Sequence, residues 1–396
     1  MPALANKTYF NYGGQGPLPN DSLAAIQAAW ATIQELGPFS GDVWPFVART
    51  TTGLRQRLAR WFGVPPERVA FSENVTTGCL LPLWGLPWQA GDQLLISDAE
   101  HPGVVAGIRE LARREHLELT VLPVMGLLGT AEAAAEGVLA ALERVLTPRT
   151  RLVVLSHLLW NTGQLMPIAA VAQRLRSHPR QPWLLVDAAQ SLGAIPVAEA
   201  AAAADIYACT GHKWCCGPEG LGAVALSQRL LAESSPTLIG WRSLSQETAA
   251  SSSFHHDARR FEVATSCIPL FAGLDRSLQL LEAEADAEAR LRSIRERSQQ
   301  LWQGLRQIPR LQPLLNQPPP AGLVSFVVGD PAPAAMPAEM SAAVADAWVR
   351  HLGERGIWLR SLADPICLRA CTHLTTSETE VEQLLAALTE LAGLPA

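Results

Sequence analysis

The chain has 396 residues, 48% of them hydrophobic and 17% charged, with a net charge of −6 and a pI near 5.9. That length exceeds one ordinary domain and suggests two, and the composition supports a large core and argues against disorder. No Lys/Arg run stands out, which argues against nucleic acid or an anionic membrane as a partner.

Met1 to Lys7 lacks a basic region followed by an apolar stretch, so no signal peptide is expected. The apolar run Leu80 to Trp88 is cut by Pro and Gly and is too short to span a bilayer, so the chain reads as soluble and cytoplasmic. Seven cysteines, at 79, 209, 215, 216, 267, 367 and 371, are an odd number in a long chain, and reduced thiols are expected. Cys367 and Cys371 have no second pair at zinc spacing, and Cys215-Cys216 are adjacent, so no metal site is expected.

Asn11 to Pro19 is a Gly/Pro-rich loop. Helices are expected over 21–36 and 48–62, then a strand over 69–72. Glu73-Asn74-Val75-Thr76-Thr77-Gly78 opens a helical stretch over 76–86. Hydroxyls beside free N–H groups at a helix start suit a phosphate, and they equally suit a plain N-cap. A strand over 93–97 leads through Asp98-Ala99-Glu100-His101 into a helix from about 103 to 115. Strands are expected over 117–124 and 151–156, separated by an Ala-rich helix near 131–146. His157 to Gln164 is a turn region, and a helix over 167–178 precedes the apolar run Trp183 to Val186. The Ala run 198–204 is helix filler, and 222–227 is the last strand of this part. Alternating strands and helices from 69 to 227 predict an α/β domain with a mostly parallel sheet covered on both faces.

Leu238 to Ser243 is a loop carrying Trp241, and the Ser-rich stretch Ser245 to Asp257 reads as a mobile loop. Residues 266–308 have a helical pattern linking to a smaller C-terminal domain. There, 312–320 is a Pro-rich turn region, strands are expected over 322–328, 357–361 and 366–370, and helices over 340–355 and 376–392.

Two strand ends carry the most chemistry. Asp187 closes the run 183–186, and Lys213 follows the run Asp205 to Cys209 within Thr210-Gly211-His212-Lys213-Trp214. One reading is a surface lysine and a helix-capping aspartate. The other is an amine and an acid converging at the carboxyl edge of a parallel sheet, where ligands of such folds sit. Pyridoxal phosphate uses that pair: a lysine for its Schiff base and an acid against its pyridinium nitrogen. Desolvation and nearby positive charge would bring the lysine toward the neutral, reactive amine.

These segments together resemble the class V aminotransferase and cysteine desulfurase family of pyridoxal phosphate enzymes. The likeness is strongest to the cyanobacterial-type L-cysteine/cystine C–S lyases. It rests on Asn-Tyr-Gly-Gly-Gln-Gly (11–16), Glu-Asn-Val-Thr-Thr-Gly (73–78), Leu-Trp-Asn-Thr-Gly-Gln (159–164), Thr-Gly-His-Lys-Trp (210–214) and Arg-Phe-Glu-Val-Ala-Thr (260–265). The resemblance implies a fold type I transferase: a large domain (21–265) with a mostly parallel seven-stranded sheet, and a linking helix with a small C-terminal α+β domain (266–396). Residues 1–20 then belong with the small domain.

The resemblance also assigns roles. Thr76, Thr77, Thr210 and His212 hold the cofactor's phosphate, and Thr265 reaches the phosphate of a neighbouring subunit in a homodimer with shared sites. The His101 ring stacks on the cofactor, Asp187 meets its ring nitrogen, and Gln190 donates to its phenolate oxygen. Asn161 lies near the substrate carboxylate, with Tyr12, Gly14 and Trp241 also lining the pocket. Arg369 binds the substrate α-carboxylate, as arginine forks do, and Arg360 takes a distal one. Lys213 bonds the cofactor and then removes the α-proton.

One desulfurase feature is missing. The segment from Arg360 to Arg369 is short, and its one thiol, Cys367, falls in an expected strand rather than on a mobile loop. The expected reaction is therefore β-elimination on L-cystine or L-cysteine, giving pyruvate, ammonia and a persulfide or sulfide. The alternatives are a desulfurase, which gives alanine, and a transaminase, which needs a keto acid. A sulfur acceptor for iron–sulfur cluster assembly is the implied protein partner.

Overall fold

The structure is a computed structural model, and it describes residues 1–246, 253–329 and 340–393. Within the Ser245–Asp257 loop, residues 247–252 lie outside the described residues. A short strand β1 (Thr8–Tyr9) precedes the main sheet. That sheet comprises β2 (Val69–Ser72), β3 (Gln93–Ser97), β4 (Glu118–Leu122), β5 (Thr150–Ser156), β6 (Trp183–Asp187), β7 (Ile206–Thr210) and β8 (Gly222–Leu226). Its seven strands run in the order β2-β8-β7-β6-β5-β3-β4. Only β8 is antiparallel to its neighbours, so the other six strands point the same way.

The sheet is buried on both faces because its strands are apolar on both faces. Along β5 to β7, Val153, Leu155, Leu184, Val186, Tyr207 and Cys209 pack in one core, while Leu152, Val154, Leu185, Ile206 and Ala208 pack in another. The period-2 alternation of a strand sends neighbours to opposite faces. Helices cover both faces, and among the described residues none is long and apolar enough to cross a membrane.

A third core belongs to the C-terminal part. It surrounds a four-stranded antiparallel sheet, β12-β13-β10-β9, built from β9 (Leu311–Pro313), β10 (Leu323–Val328), β12 (Arg360–Ala363) and β13 (Ile366–Cys371). The strand β11 (Ile357–Trp358) instead pairs in parallel with β1, and Phe10 is buried in this C-terminal core.

Several expectations need adjustment. The stretch 266–308 is two helices, Ile268–Glu284 and Ala287–Leu305, because the Asp286 side chain caps the second by accepting from Ala289 N at 2.8 Å. The strand expected over 357–361 divides at Leu359, its halves pairing in different sheets. The 312–320 turn region includes the edge strand β9, where Pro313 is tolerated because an edge position needs no second partner. The second helix begins at Val43, with Pro45 in its first turn, where a missing N–H costs nothing.

Candidate active site

Five loops meet at one edge of the main sheet. The carboxyl ends of β2, β3, β5, β6 and β7 lead to Asn74, His101, Ser156, Asp187 and Lys213, and side chains from all five loops line adjoining cavities. Parallel strands give this convergence, since every turn after a strand falls on the same edge. The wide part of the cavity has a volume of about 640 Å³ and is walled on its far side by β12 and β13 of the small domain.

At the base lies Asp187, buried on the strand next to that of Lys213. One oxygen accepts from Ala189 N at 2.8 Å, and the other has no ion pair or hydrogen bond among the described residues. Burial raises its pKa, and the Ala189 N–H and the Lys213 ammonium oppose that. A buried carboxylate with one bare oxygen facing a cavity suits a cationic N–H.

Lys213 lines both parts of the cavity. Burial pulls its amine down to about 8; Asp187 opposes this, while Arg369 and Arg360 reinforce it. The sequence holds two lysines, Lys7 and Lys213, and of these Lys213 alone lines the cavity. The turn carrying it is braced from two directions. Gly16 N donates to the His212 carbonyl at 2.7 Å, and a Cβ on Gly16 would lie 1.9 Å from the Lys213 carbonyl oxygen. His373 Nε2 donates to the Trp214 carbonyl at 3.0 Å, and its ring stacks on Tyr12 at 4.2 Å. Tyr12 therefore supports the lysine turn and is not among the residues lining the cavity.

A consequence can be measured on the cofactor-free protein. An amine is nucleophilic only when neutral, and half of the Lys213 population is neutral near pH 8. Reductive methylation of Lys213, read by peptide mass, is expected to accelerate up to about pH 8 and then level off. An amine with the ordinary lysine value would still be gaining rate at about pH 10.

The start of the helix Val75–Trp84 combines both readings of its sequence. Asn74 is the N-cap, its Oδ1 accepting from Thr77 N at 2.9 Å and Thr77 Oγ1 at 3.1 Å. Thr76 is left facing the cavity beside His212, whose ring shares a 2.7 Å hydrogen bond with Thr210 Oγ1. A helix N-terminus with a hydroxyl and an imidazole is an anion cradle. His101 projects over the cavity, edge-on to Trp160 with ring centres 5.6 Å apart. Burial and the Lys213 charge lower its pKa, which keeps the ring neutral. Gln190 lines the cavity with its amide anchored, Nε2 donating to Gly13 O and Oε1 accepting from Trp214 Nε1, both at 2.8 Å. One amide hydrogen remains available.

Two arginines close the far wall. Arg369 on β13 is 1% exposed; its Nη1 donates to Trp160 O at 2.7 Å, while Nε and Nη2 have no partner among the described residues. A buried guanidinium with an open fork is costly without a carboxylate. Arg360 on β12 is the direct cross-strand neighbour of Arg369, which puts both on one face of the small sheet. Gly14 lines the same space.

Besides Tyr12, three expected residues stand elsewhere. Asn161 is buried outside the cavity lining, with Oδ1 turned back to accept from Thr162 N. Thr265 lines a separate cavity of about 350 Å³, and Trp241 packs edge-on against Trp44 with ring centres 6.0 Å apart.

Glu100 is a residue that sequence reasoning passed over. Its Oε1 accepts from Ser97 Oγ at 2.5 Å and Ser156 N at 2.7 Å, and its Oε2 from Ser156 Oγ at 2.7 Å. It ties the loop bearing His101 to the end of β5, beside Asp187. Burial, with a smaller push from Asp187, raises its pKa to about 7.

Comparison with known proteins is consistent with this geometry. The family model for class-V aminotransferases matches residues 47–384. The solved structure of the cystine C–S lyase C-DES with its product cysteine persulfide superposes with a TM-score of 0.89 at 42% identity, covering 100% of both chains. A lysine-to-alanine mutant of C-DES, with glycine covalently linked to the PLP cofactor, matches equally well over 98% of that chain. Isopenicillin N epimerase of Amycolatopsis lactamdurans is 28% identical over 99% of this chain and 96% of its own. The Streptomyces clavuligerus epimerase is 31% identical over 58% of this chain, a match that spans 56% of the relative.

Proposed function

The chain belongs to the class-V aminotransferase family, and from that premise we propose that it is a pyridoxal-phosphate-dependent C–S lyase acting on L-cystine. The residues present fit the cofactor. Asp187 offers a bare buried oxygen to a ring N–H, Thr76 and His212 form an anion cradle, and Lys213 lies in the same cavity. Thr77, Thr210 and Gln190 support that set, and His101 covers it. The bound cofactor supplies an electron sink for the pair of electrons left at the substrate Cα.

The rest falls to the chain. Arg369 holds the α-carboxylate in its open fork, which turns the Cα–H toward the Lys213 amine. Lys213, its amine lowered toward the neutral form by burial, takes the proton from Cα. The Cβ–S bond then breaks, and its electrons leave with sulfur as cysteine persulfide. Water completes the balance: L-cystine and water give pyruvate, ammonia and cysteine persulfide, with no external oxidant or reductant. Arg360 holds the distal carboxylate.

One observation carries this reading over desulfuration. All seven cysteines are described, and none lines the cavity that holds Lys213, Arg360 and Arg369. Six are buried; Cys267, the exposed one, lines the separate cavity with Thr265. Burial pushes the Cys367 thiol up to about 12, the opposite of an activated thiolate. The 42% identity to a cystine lyase over the whole chain favours elimination over the epimerisation named for relatives of 28–31%.

Replacing Cys267, Cys367 and Cys371 by alanine, one at a time, tests the point. Each variant is expected to form pyruvate from L-cystine within about tenfold of the unmodified protein, where loss of a true nucleophile costs about ten-thousandfold or more. Loss of that order in one of them would establish a thiol mechanism.

A cytoplasmic homodimer is part of the same reading. Thr265 and Trp241 stand away from their own chain's cavity, while Trp30, Phe39, Trp44, Leu238 and Ile239 remain exposed. A second copy would cover such side chains and bring Thr265 and Trp241 to its site. The persulfide product suits a thiol acceptor, including one that builds iron–sulfur clusters.

A further inference from the structure

The outer wall of the cavity carries an acid that the mechanism leaves unused. Asp346 lies on the helix Ala342–Glu354, which packs against β12 and lines the cavity opposite its floor. Its Oδ1 accepts from Ser361 Oγ at 2.8 Å, so the carboxylate is tethered to β12 while its second oxygen has no hydrogen bond or ion pair among the described residues. Ser361 directly follows Arg360, whose Nε makes a long contact of 3.4 Å to the Ser361 carbonyl and whose guanidinium has no carboxylate partner among the described residues. Arg360 and Asp346 thus both line the outer part of the cavity without forming an ion pair with each other. Asp346 is the only acid among the described residues lining the wide part of the cavity.

A count of substrate charges shows what this arrangement fits. L-Cystine carries two carboxylates and two ammonium groups. On the reading above, the inner amine is consumed at the Lys213 end and the two carboxylates take Arg369 and Arg360. The outer ammonium is then the one charge without a partner, and it is bonded to the same carbon as the carboxylate on Arg360. A zwitterionic end group needs an acid within one residue's reach of that arginine, on the same wall. We propose that Asp346 is a specificity-determining residue that binds the ammonium of the cysteine half that departs as persulfide.

This inference rests on the elimination reading, and its test separates the two. The substrates are L-cystine and the mixed disulfide of L-cysteine with 3-mercaptopropionate. The second keeps both sulfurs and both carboxylates and lacks only the outer ammonium. The loaded protein is expected to prefer L-cystine in kcat/KM, scored by pyruvate. In Asp346→Asn that preference is expected to shrink about fivefold to tenfold, through KM for L-cystine, the scale of one charge-assisted contact at a part-open site. Asp346→Glu, which restores the charge, is expected to recover most of it. An Asp346→Asn protein with the unmodified preference overturns the assignment of Asp346 alone. An unmodified protein that forms no pyruvate from either disulfide overturns the elimination reading and this inference with it.

Discussion

Lys213→Ala is expected to lower pyruvate formation from L-cystine by at least about ten-thousandfold, since in the proposed mechanism one residue both bonds the cofactor and moves the α-proton. Lys213 is the one lysine lining the cavity, and nothing there replaces it. Asp187 is still held by Ala189 N, and His101 still lines the cavity. The variant should fold, because the turn is held by backbone contacts from Gly16 and His373 that do not involve the lysine side chain. Borohydride reduction of the loaded protein adds a second readout. With two lysines in the chain, peptide mass assigns any fixed cofactor to Lys213 or Lys7. The label should sit on Lys213 and vanish in the variant. Unchanged turnover of L-cystine by Lys213→Ala would end the account.

Arg369→Leu separates function from stability. Its Nε and Nη2 are buried without partners among the described residues, so on the proposed reading a bound carboxylate would satisfy them. Removing one side of a buried charge pair costs about 3–4 kcal/mol, and kcat/KM for L-cystine should fall about a hundredfold to a thousandfold. A buried charge replaced by an apolar residue of similar length is often neutral or stabilising. The variant's Tm should therefore hold or rise while activity is lost. A marked drop in Tm with normal KM would make Arg369 a structural residue.

The main sheet was legible because its strands are short apolar runs buried on both faces, each followed by a polar turn. The same pattern put Asp187 and Lys213 at strand ends, and parallel pairing of β6 with β7 made them neighbours. What escaped notice depends on contacts between distant segments. Glu100 reads as a surface acid in a polar turn, and its burial follows from Ser156, which lies 56 residues away. Asp346 sits on what reads as the solvent face of an amphipathic helix, and becomes part of a cavity only when that helix packs on β12. The break at Asp286 was hidden because the residues on either side are good helix formers, and the interruption is a single cap. The split at Leu359 depends on β1, whose two residues carry no periodic signal of their own.

Product analysis of the unmodified protein bears most directly on the central claim. Purified protein, loaded with pyridoxal phosphate and given L-cystine, is scored for pyruvate, alanine and persulfide sulfur together. Pyruvate and cysteine persulfide in equal amounts, without alanine, are the predicted result. Alanine accompanied by sulfane sulfur would contradict it and return the reaction to a cysteine thiol.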